Sequence, residues 1–532
     1  MTELSYAAIA KKKQLKRGAL FATLFIIVLL LVSHFMETDK VGTGLTANKS
    51  NTLSISGPWE ISSLDPANQG YILTRMQVIE TLLNVDNKGN IQAGLATQWH
   101  NSDDGLTWQF TLREDVVFHD GSHLDAYSVV NALNHATNKH GTLTKAAVTS
   151  IDVLAENKIE IILAKPYTSF AALLTNYSNA ILSPASYDST GKVKTLHGSG
   201  AYQMDSFSPP HQLTVKQFDN YWGQKASIPF ATYLTGHRAE SRLLQAKSGE
   251  ADIVFTLDPS MLSQLKDNDQ VTVYSHLIPR TLFIKLNNQH ALLKDIKVRQ
   301  ALSMAINRTA IANNVLHSPD SETAQLMPSS MSKWFIEGIN NNPYDLNKAR
   351  NLLASLGWVV DSSGLLKRDG VPFNLTMITY ADRPELTVVA TAIQAQWAEL
   401  GITLKVDVTN SSMIPAGHKD GSLQMALIAR NFGFIADPLP IISSDFTHGG
   451  GDWGTMNWHN TLVDKAINEL LITKDEQRSL VLTQQVAKAI YQDTPLLPIA
   501  SYSQHTSVNK RVENFTFDPF ERDYFINQMG LK

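Results

Sequence analysis

The chain has 532 residues, a hydrophobic fraction of 43%, 45 Lys and Arg against 49 Asp and Glu, and no cysteine. That length suits about three domains around a large buried core. A formal net charge of -4 gives no footing for nucleic acid, and without Cys there is no disulfide, thiolate nucleophile, Cys-ligated zinc or lipid-modified Cys anchor.

Residues 1–17 form a basic tail carrying Lys11, Lys12, Lys13, Lys16 and Arg17. The apolar segment 18–36 follows and holds no acidic or basic residue other than His34. A basic flank before such a run keeps the tail in the cytoplasm and sends the rest across the membrane, as a signal anchor or a signal peptide. Cleavage sites near Ser33 and Ala47 are weak, which favours an uncleaved anchor. Residues 37–50, rich in Gly, Thr, Asn and Lys, read as a linker.

The folded body begins near Asn51. Alternation predicts a strand over 52–55, and Ser63 to Ala67 is a loop entering a helix predicted over 74–83. In 106–112 the apolar Leu106, Trp108, Phe110 and Leu112 alternate with Thr107, Gln109 and Thr111, the pattern of a half-buried strand. Asp120-Gly121 is a turn, and Asp125 is the predicted N-cap of a helix carrying Val129, Val130 and Leu133. Residues 242–255 read as a helix, a stop at Gly249 and a buried strand; 282–286 as a strand; and 295–316 as a helix with an apolar stripe of Val298, Ala301, Leu302, Ala305 and Ile306. Amphipathic helices are expected over 343–358 and 386–400, the second capped by Gly401 before a strand over 403–408. Strands alternating with helices argue an α/β fold of two lobes.

Gly105, Thr107, Trp108, Phe110, Leu112, Arg113, Val116, Phe118, Gly121, Ala126 and Val129 stand at the spacing DGxTWxFxLRxxVxFxxGxxxxAxxV. With Gly198 to Tyr202 (GSGAY), Tyr221-Trp222-Gly223 and Val298 to Arg308 (VRQALSMAINR), this pattern resembles the peptide and nickel class, family 5, of the periplasmic solute-binding proteins that serve ABC importers. The resemblance covers nearly everything from residue 51 onward. It implies a two-lobed periplasmic-binding-protein-like fold with an inserted small domain and a hinged ligand cleft. Lobe I would be discontinuous, made of 51–85, 198–279 and 500–532, with 86–197 as the inserted domain and 280–499 as lobe II. The Tyr221-Trp222 pair is expected to close a core.

A cleft needs a few placed polar groups among apolar and aromatic walls. The stretch 429–458 is dense in Gly and aromatics and supplies Arg430, Phe432, Asp437, Trp453 and Trp458 as ligand-contact candidates, with Gly449 to Gly451 expected to be flexible. Asp437 also reads as a cap of the turn before Pro438. Arg430, Gly433, Asp437, Pro438 and His448 resemble the nickel-binding branch of the family slightly more than the dipeptide branch, which implies His448 as a contact to a chelated metal; a lone His is otherwise a surface or core residue. Arg75, His140 and Arg383 are further carboxylate partners by their donor chemistry, set against the ordinary reading of solvated charges. His119 and His123 stand four apart, but Asp120-Gly121 between them breaks the helix that a metal pair would need.

No GxSxG, HExxH or GxxxxGK[ST] occurs, so nothing supports catalysis. The expected function is capture of a short peptide or a nickel or other metal-chelate outside the cytoplasmic membrane, by a monomer that delivers it to ABC permease subunits. No cofactor is expected beyond a nickel-chelate bound as ligand. A membrane-anchored sensor or chaperone using the fold without import, and a hydrolase on this scaffold, are the alternatives.

Overall fold

The computed structural model describes residues 49–139, 141–380 and 383–532. The basic tail 1–17, the segment 18–36, nearly all of the linker 37–50 and His140 lie outside the described residues. Among the described residues no helix is long and apolar enough to cross a membrane. The folded body runs from Leu53 to Lys532.

Its backbone is a ten-stranded mixed sheet with the order Thr403–Thr409, Asn374–Tyr380, Met425–Asn431, Val271–Leu286, Leu496–Asn509, Ile253–Val254, Thr52–Gly57, Phe230–Thr235, Gln212–Gln217 and Tyr202–Ser208. Two long antiparallel strands at the centre, Val271–Leu286 and Leu496–Asn509, serve both halves. Val508 and Ser507 pair with Ile253–Val254 on one side, while Arg280 to Leu286 pair with Met425–Asn431 on the other. Their mutual register slips between Leu277 and Thr281, so the halves are joined through an irregular stretch that contains Pro279 and Arg280. Such a slip bends a strand and breaks its ladder locally, within a sheet that stays continuous across its ten strands.

A separate four-stranded sheet holds Ala96–Asn101, Thr107–Leu112, Lys158–Leu163 and Val148–Ala155. Trp108, Phe110 and Leu112 are buried on alternate positions of Thr107–Leu112, as period-two patterning requires. Gly121 takes φ +87 in the turn that follows. Asp125 caps the helix Ala126–Thr137: its Oδ1 accepts from Ser128 N at 2.7 Å and its own N–H donates to Ser128 Oγ at 3.0 Å, a reciprocal capping box.

Three local expectations are corrected. The first helix is Pro66–Arg75, not 74–83. Asp65 accepts from Ala67 N and Pro66 opens the helix, whereas Gln77 at φ +55 leaves helical geometry; the apolar residues Val78, Ile79 and Leu82 are buried as irregular chain and Leu83 begins the strand Leu83–Val85, a run whose burial mimics a helical stripe. The single helix expected from Asp295 is two, Ile296–Met304 and Arg308–Asn314, because Asn307 accepts from Ala310 N and starts a second N-terminus. Gly449 and Gly450 form a short strand of a hairpin rather than a loop, with Gly451 entering its turn. Gly449–Gly450 pairs with Met456–Trp458, and a Cβ on Gly450 would lie 1.9 Å from Thr455 O.

Candidate functional site

A cavity of about 160 Å³ opens where distant parts of the chain converge: the stretch from Tyr71 to Gly94, Thr175 and Tyr177, Tyr221 and Trp222, Phe434, and the C-terminal segment from Asp518 to Phe525. Three rings of its lining run edge to face: Tyr71 meets Tyr177 at 5.8 Å and Tyr177 meets Phe434 at 6.4 Å between centroids, and Trp59, outside the lining, meets Tyr71 at 6.3 Å. Edge-on rings at these separations attract through their quadrupoles and present flat apolar faces to whatever lies between them.

The same lining carries carboxylates. Glu80 accepts from Tyr221 Oη at 3.0 Å, Trp222 Nε1 at 3.0 Å and Ser199 Oγ at 2.7 Å, so the Tyr221-Trp222 pair closes over a carboxylate and not over a purely apolar core. Burial raises the Glu80 carboxyl above its usual range, and the three donors offset only part of that shift. Asp523 accepts from Phe525 N at 2.6 Å and from Gln77 Nε2 at 3.3 Å. Burial pushes its carboxyl up to about 7, and the neighbouring Asp518 adds to the shift. Arg522 is spoken for: it donates to Val85 O at 2.8 Å and to Asp518 Oδ1 at 3.1 Å.

Glu521 stands between this cavity and a knot of arginines. Its Oε2 accepts from Arg280 Nη2 at 2.6 Å and Asn431 Nδ2 at 3.2 Å, and its carbonyl accepts from Arg75 Nε at 2.5 Å. Burial acts to raise the Glu521 carboxyl, but the combined fields of Arg280, Arg75 and Arg383 outweigh it and hold the group below its usual range. Arg75 lies 4.3 Å over the Trp59 ring, and both Arg280 and Arg383 lie over Tyr502 at 4.7 and 5.2 Å.

Of the residues singled out in the sequence, Arg75 and Arg383 are not solvated charges. Arg75 is only 2% exposed, and Arg383 donates to Tyr502 Oη at 3.2 Å beside Glu385. Arg430 is not a free clamp: its Nε donates to the buried Asp445 at 2.8 Å. Phe432 is wholly buried in the core and Trp458 nearly so, with its Nε1 donating to Asp493 at 3.3 Å. Trp453 packs edge-on to Tyr380 at 6.3 Å. Asp437 caps the turn, accepting from Leu439 N at 2.9 Å and from Ser169 Oγ at 2.5 Å. His448 is exposed at φ +51 past the end of helix Leu439–Phe446. None of these last six lines the cavity; from the 429–458 stretch Phe434 does. His119 is half-buried against Phe218 with its Nε2 3.0 Å from Gly200 O, and the exposed His123 bridges to Val117, so they form no metal pair.

Glu80, Glu521 and Asp523 were missed by pattern reading. One signal was present: in Asp518 to Phe525 (DPFERDYF) four charged residues interleave with three large aromatics, a composition that a solvated tail has no reason to carry.

The chain matches the family model "Bacterial extracellular solute-binding proteins, family 5 Middle" over residues 90–453. It is 23% identical to the nickel-binding periplasmic protein of Escherichia coli K12 over 510 residues, covering 91% of this chain and 97% of that protein. It is 24% identical to the dipeptide-binding protein of the same organism, covering 82% and 85%. Among solved structures, NikA from Brucella suis in complex with Fe(III)-EDTA superposes with a TM-score of 0.83 at 21% identity, covering 90% of this chain and all of that one. A matched central region, the two-lobed α/β fold and a cavity built between distant segments lead to one assignment: the chain belongs to the bacterial extracellular solute-binding proteins of family 5, which serve ABC importers.

Proposed function

We propose that this chain captures a small organic solute of the short-peptide type in the cavity between Tyr71, Tyr177 and Phe434 and the segment from Asp518 to Phe525, and hands it to the permease subunits of an ABC importer. The observation that carries this is the cavity's construction. Its wall takes one ring, Phe434, from the half of the fold beyond the register slip, and its acids from Glu80 and from the C-terminal segment, so a bend at the slip opens or closes it. A solute that touches both sides favours the closed arrangement by its differential contacts.

The metal-chelate reading is supported by likeness to proteins described as nickel-binding, but His448 stands outside the cavity. Segment 18–36, behind its Lys and Arg cluster, would hold the folded body at the outer face of the cytoplasmic membrane. Thermal-shift and intrinsic-fluorescence titrations with di- and tripeptides and with nickel–histidine test the solute reading. Stabilisation by peptides supports it, stabilisation by nickel–histidine alone replaces it with the chelate reading, and no response to any of them sinks both. N-terminal sequencing of the exported protein tests the anchor, since a start beyond residue 36 removes it.

A further inference from the structure

Two segments that flank the cavity also bind each other directly, outside its lining. Thr168 to Tyr177 follows the strand Lys158–Leu163 of the four-stranded sheet. Three bonds fasten that sheet and its helices to the half of the fold before the register slip: Lys139 Nζ to Asp65 at 2.6 Å, and His119 N to Gly198 O and Ile181 N to Glu80 O at 2.9 Å each. Phe434 to Lys474 follows the strand Met425–Asn431, which pairs with Arg280 to Leu286 beyond the slip. A bend at the slip that opens the cavity therefore draws these two segments apart.

Between them runs a seam of polar bonds. Thr168 caps the end of the helix Thr461–Leu470 from outside: its Oγ1 donates to Leu470 O and its N–H to Leu471 O, both at 2.8 Å. The last carbonyls of a helix have no partner within it, so this cap exists only while the two segments touch. Ser169 Oγ donates to Asp437 Oδ2 at 2.5 Å, Asn176 Nδ2 to Phe434 O at 2.9 Å, and Lys474 Nζ to Ser102 O at 2.7 Å and Asp103 O at 3.1 Å. Phe170 and Leu173 on one side and Leu439 and Leu470 on the other belong to one continuous buried apolar cluster, so parting the seam also brings apolar surface to water.

Thr168, Ser169, Asn176 and Lys474 do not line the cavity, and neither do Asp437, Leu470 and Leu471. A solute therefore adds its contacts to the seam and is not needed to make it. Asn176 also sets two rings of the lining: it bonds the Phe434 carbonyl and directly precedes Tyr177, whose ring meets that of Phe434.

We propose that the seam keeps the cavity closed in most solute-free molecules, and that Thr168, Ser169, Asn176 and Lys474 are positioning residues that set solute affinity without touching the solute. Only the second part rests on the solute-binding reading above. The apparent affinity of a site is its intrinsic affinity scaled by the fraction of molecules in the competent state, so losing the seam lowers that fraction and weakens capture in proportion.

The test uses the full-length chain in mild detergent, dialysed free of solute and checked by native mass spectrometry. Because the chain has no cysteine, Lys158→Cys and Lys419→Cys, at two exposed positions on either side of the seam, carry the only spin labels. Pulsed electron–electron resonance gives the distance distribution between them in this labelled parent, in Thr168→Val/Ser169→Ala/Lys474→Met and in Lys474→Met alone, each with and without alanyl-alanine or nickel–histidine. The expected result is one distance in the solute-free parent that a bound probe leaves unchanged, a longer distance in most molecules of the triple variant, and a smaller share of it in Lys474→Met. The probe that binds the parent should return the triple variant to the parent distance, at an affinity at least about fivefold weaker by calorimetry. Lys474 is exposed, so its single variant carries the test where the triple variant does not fold. A solute-free parent whose distance shortens on adding a probe, or folded variants with the parent's distribution, overturns the seam's role in closure. Variants that open yet bind as tightly as the parent overturn its role in affinity. Silence from both probes sinks the solute-binding reading and the affinity role with it, while parent against variants still decides closure.

Discussion

Arg280 and Glu521 meet at 2.6 Å where the two long central strands slip register, both with side chains under 5% exposed. The partners lie 241 positions apart, so the bond ties the bend in the sheet to the C-terminal segment that closes the cavity.

Glu521→Gln should therefore cost stability. It leaves Arg75 and Arg280 buried without their carboxylate, and breaking one side of a buried pair costs about 3–5 kcal/mol. Urea denaturation of the variant checks this; a loss below about 1 kcal/mol would show that the arginines find other partners.

Arg430→Met should lower stability and leave solute affinity unchanged. The substitution strips Asp445 of its bidentate-capable partner while Lys145 and Lys285 remain in the field, so about 3 kcal/mol is expected. Parallel denaturation and binding titrations separate the outcomes, and a folded variant of normal stability that no longer binds would return Arg430 to the ligand.

Gly200→Ala should destabilise by about 1–3 kcal/mol or more, because a Cβ there meets Gln77 O at 2.0 Å, and displacing Gln77 disturbs its contact with Asp523. A melting temperature equal to that of wild type would show that the backbone yields. The neighbouring Gly198 faces Val78 O at 2.1 Å and should behave alike.

The pH dependence has two opposed parts. Burial holds Asp523 up at about 7 against an ordinary 3.8, so between those values the folded chain keeps a proton that the unfolded chain has lost; stability falls as pH rises through this window and is level above it. Burial pushes His119 and His505 down to about 4 from 6.5, so in that range the unfolded chain binds protons the folded chain does not, and stability rises with pH. Wild type should show a shallow profile. Denaturation of wild type and Asp523→Asn from about pH 5 to about pH 8 should give a stability difference that shifts against wild type up to about pH 7 and then stays constant; a difference independent of pH would remove Asp523 from the titration.

Local rules made much of the fold legible. The strand through Trp108 and Phe110 and the cap at Asp125 depend on neighbours a few residues away, and both formed as patterned. The end of the first helix was misplaced because Val78 to Leu83 owe their burial to segments far along the chain, including Gly198 and Gly200, whose lack of Cβ admits them. The site was less legible still. Arg75 looks like a surface charge until Trp59 and Glu521 are placed around it, and Glu521 comes 446 residues later. The stretch 429–458 was conspicuous for its glycines and tryptophans, yet these serve a turn and a core, and only Phe434 reaches the cavity.

The cavity's walls come from Tyr71 to Gly94 at one end of the folded body and from Asp518 to Phe525 at the other. A chain folding in order would have Tyr71, Glu80 and Tyr177 in place long before Asp518 to Phe525 is made, so the lining of the cavity is completed when a late segment joins an early one. A chain cut before Asp518 would keep most of the sheet and core while lacking the side of the lining that carries Asp518, Glu521 and Asp523.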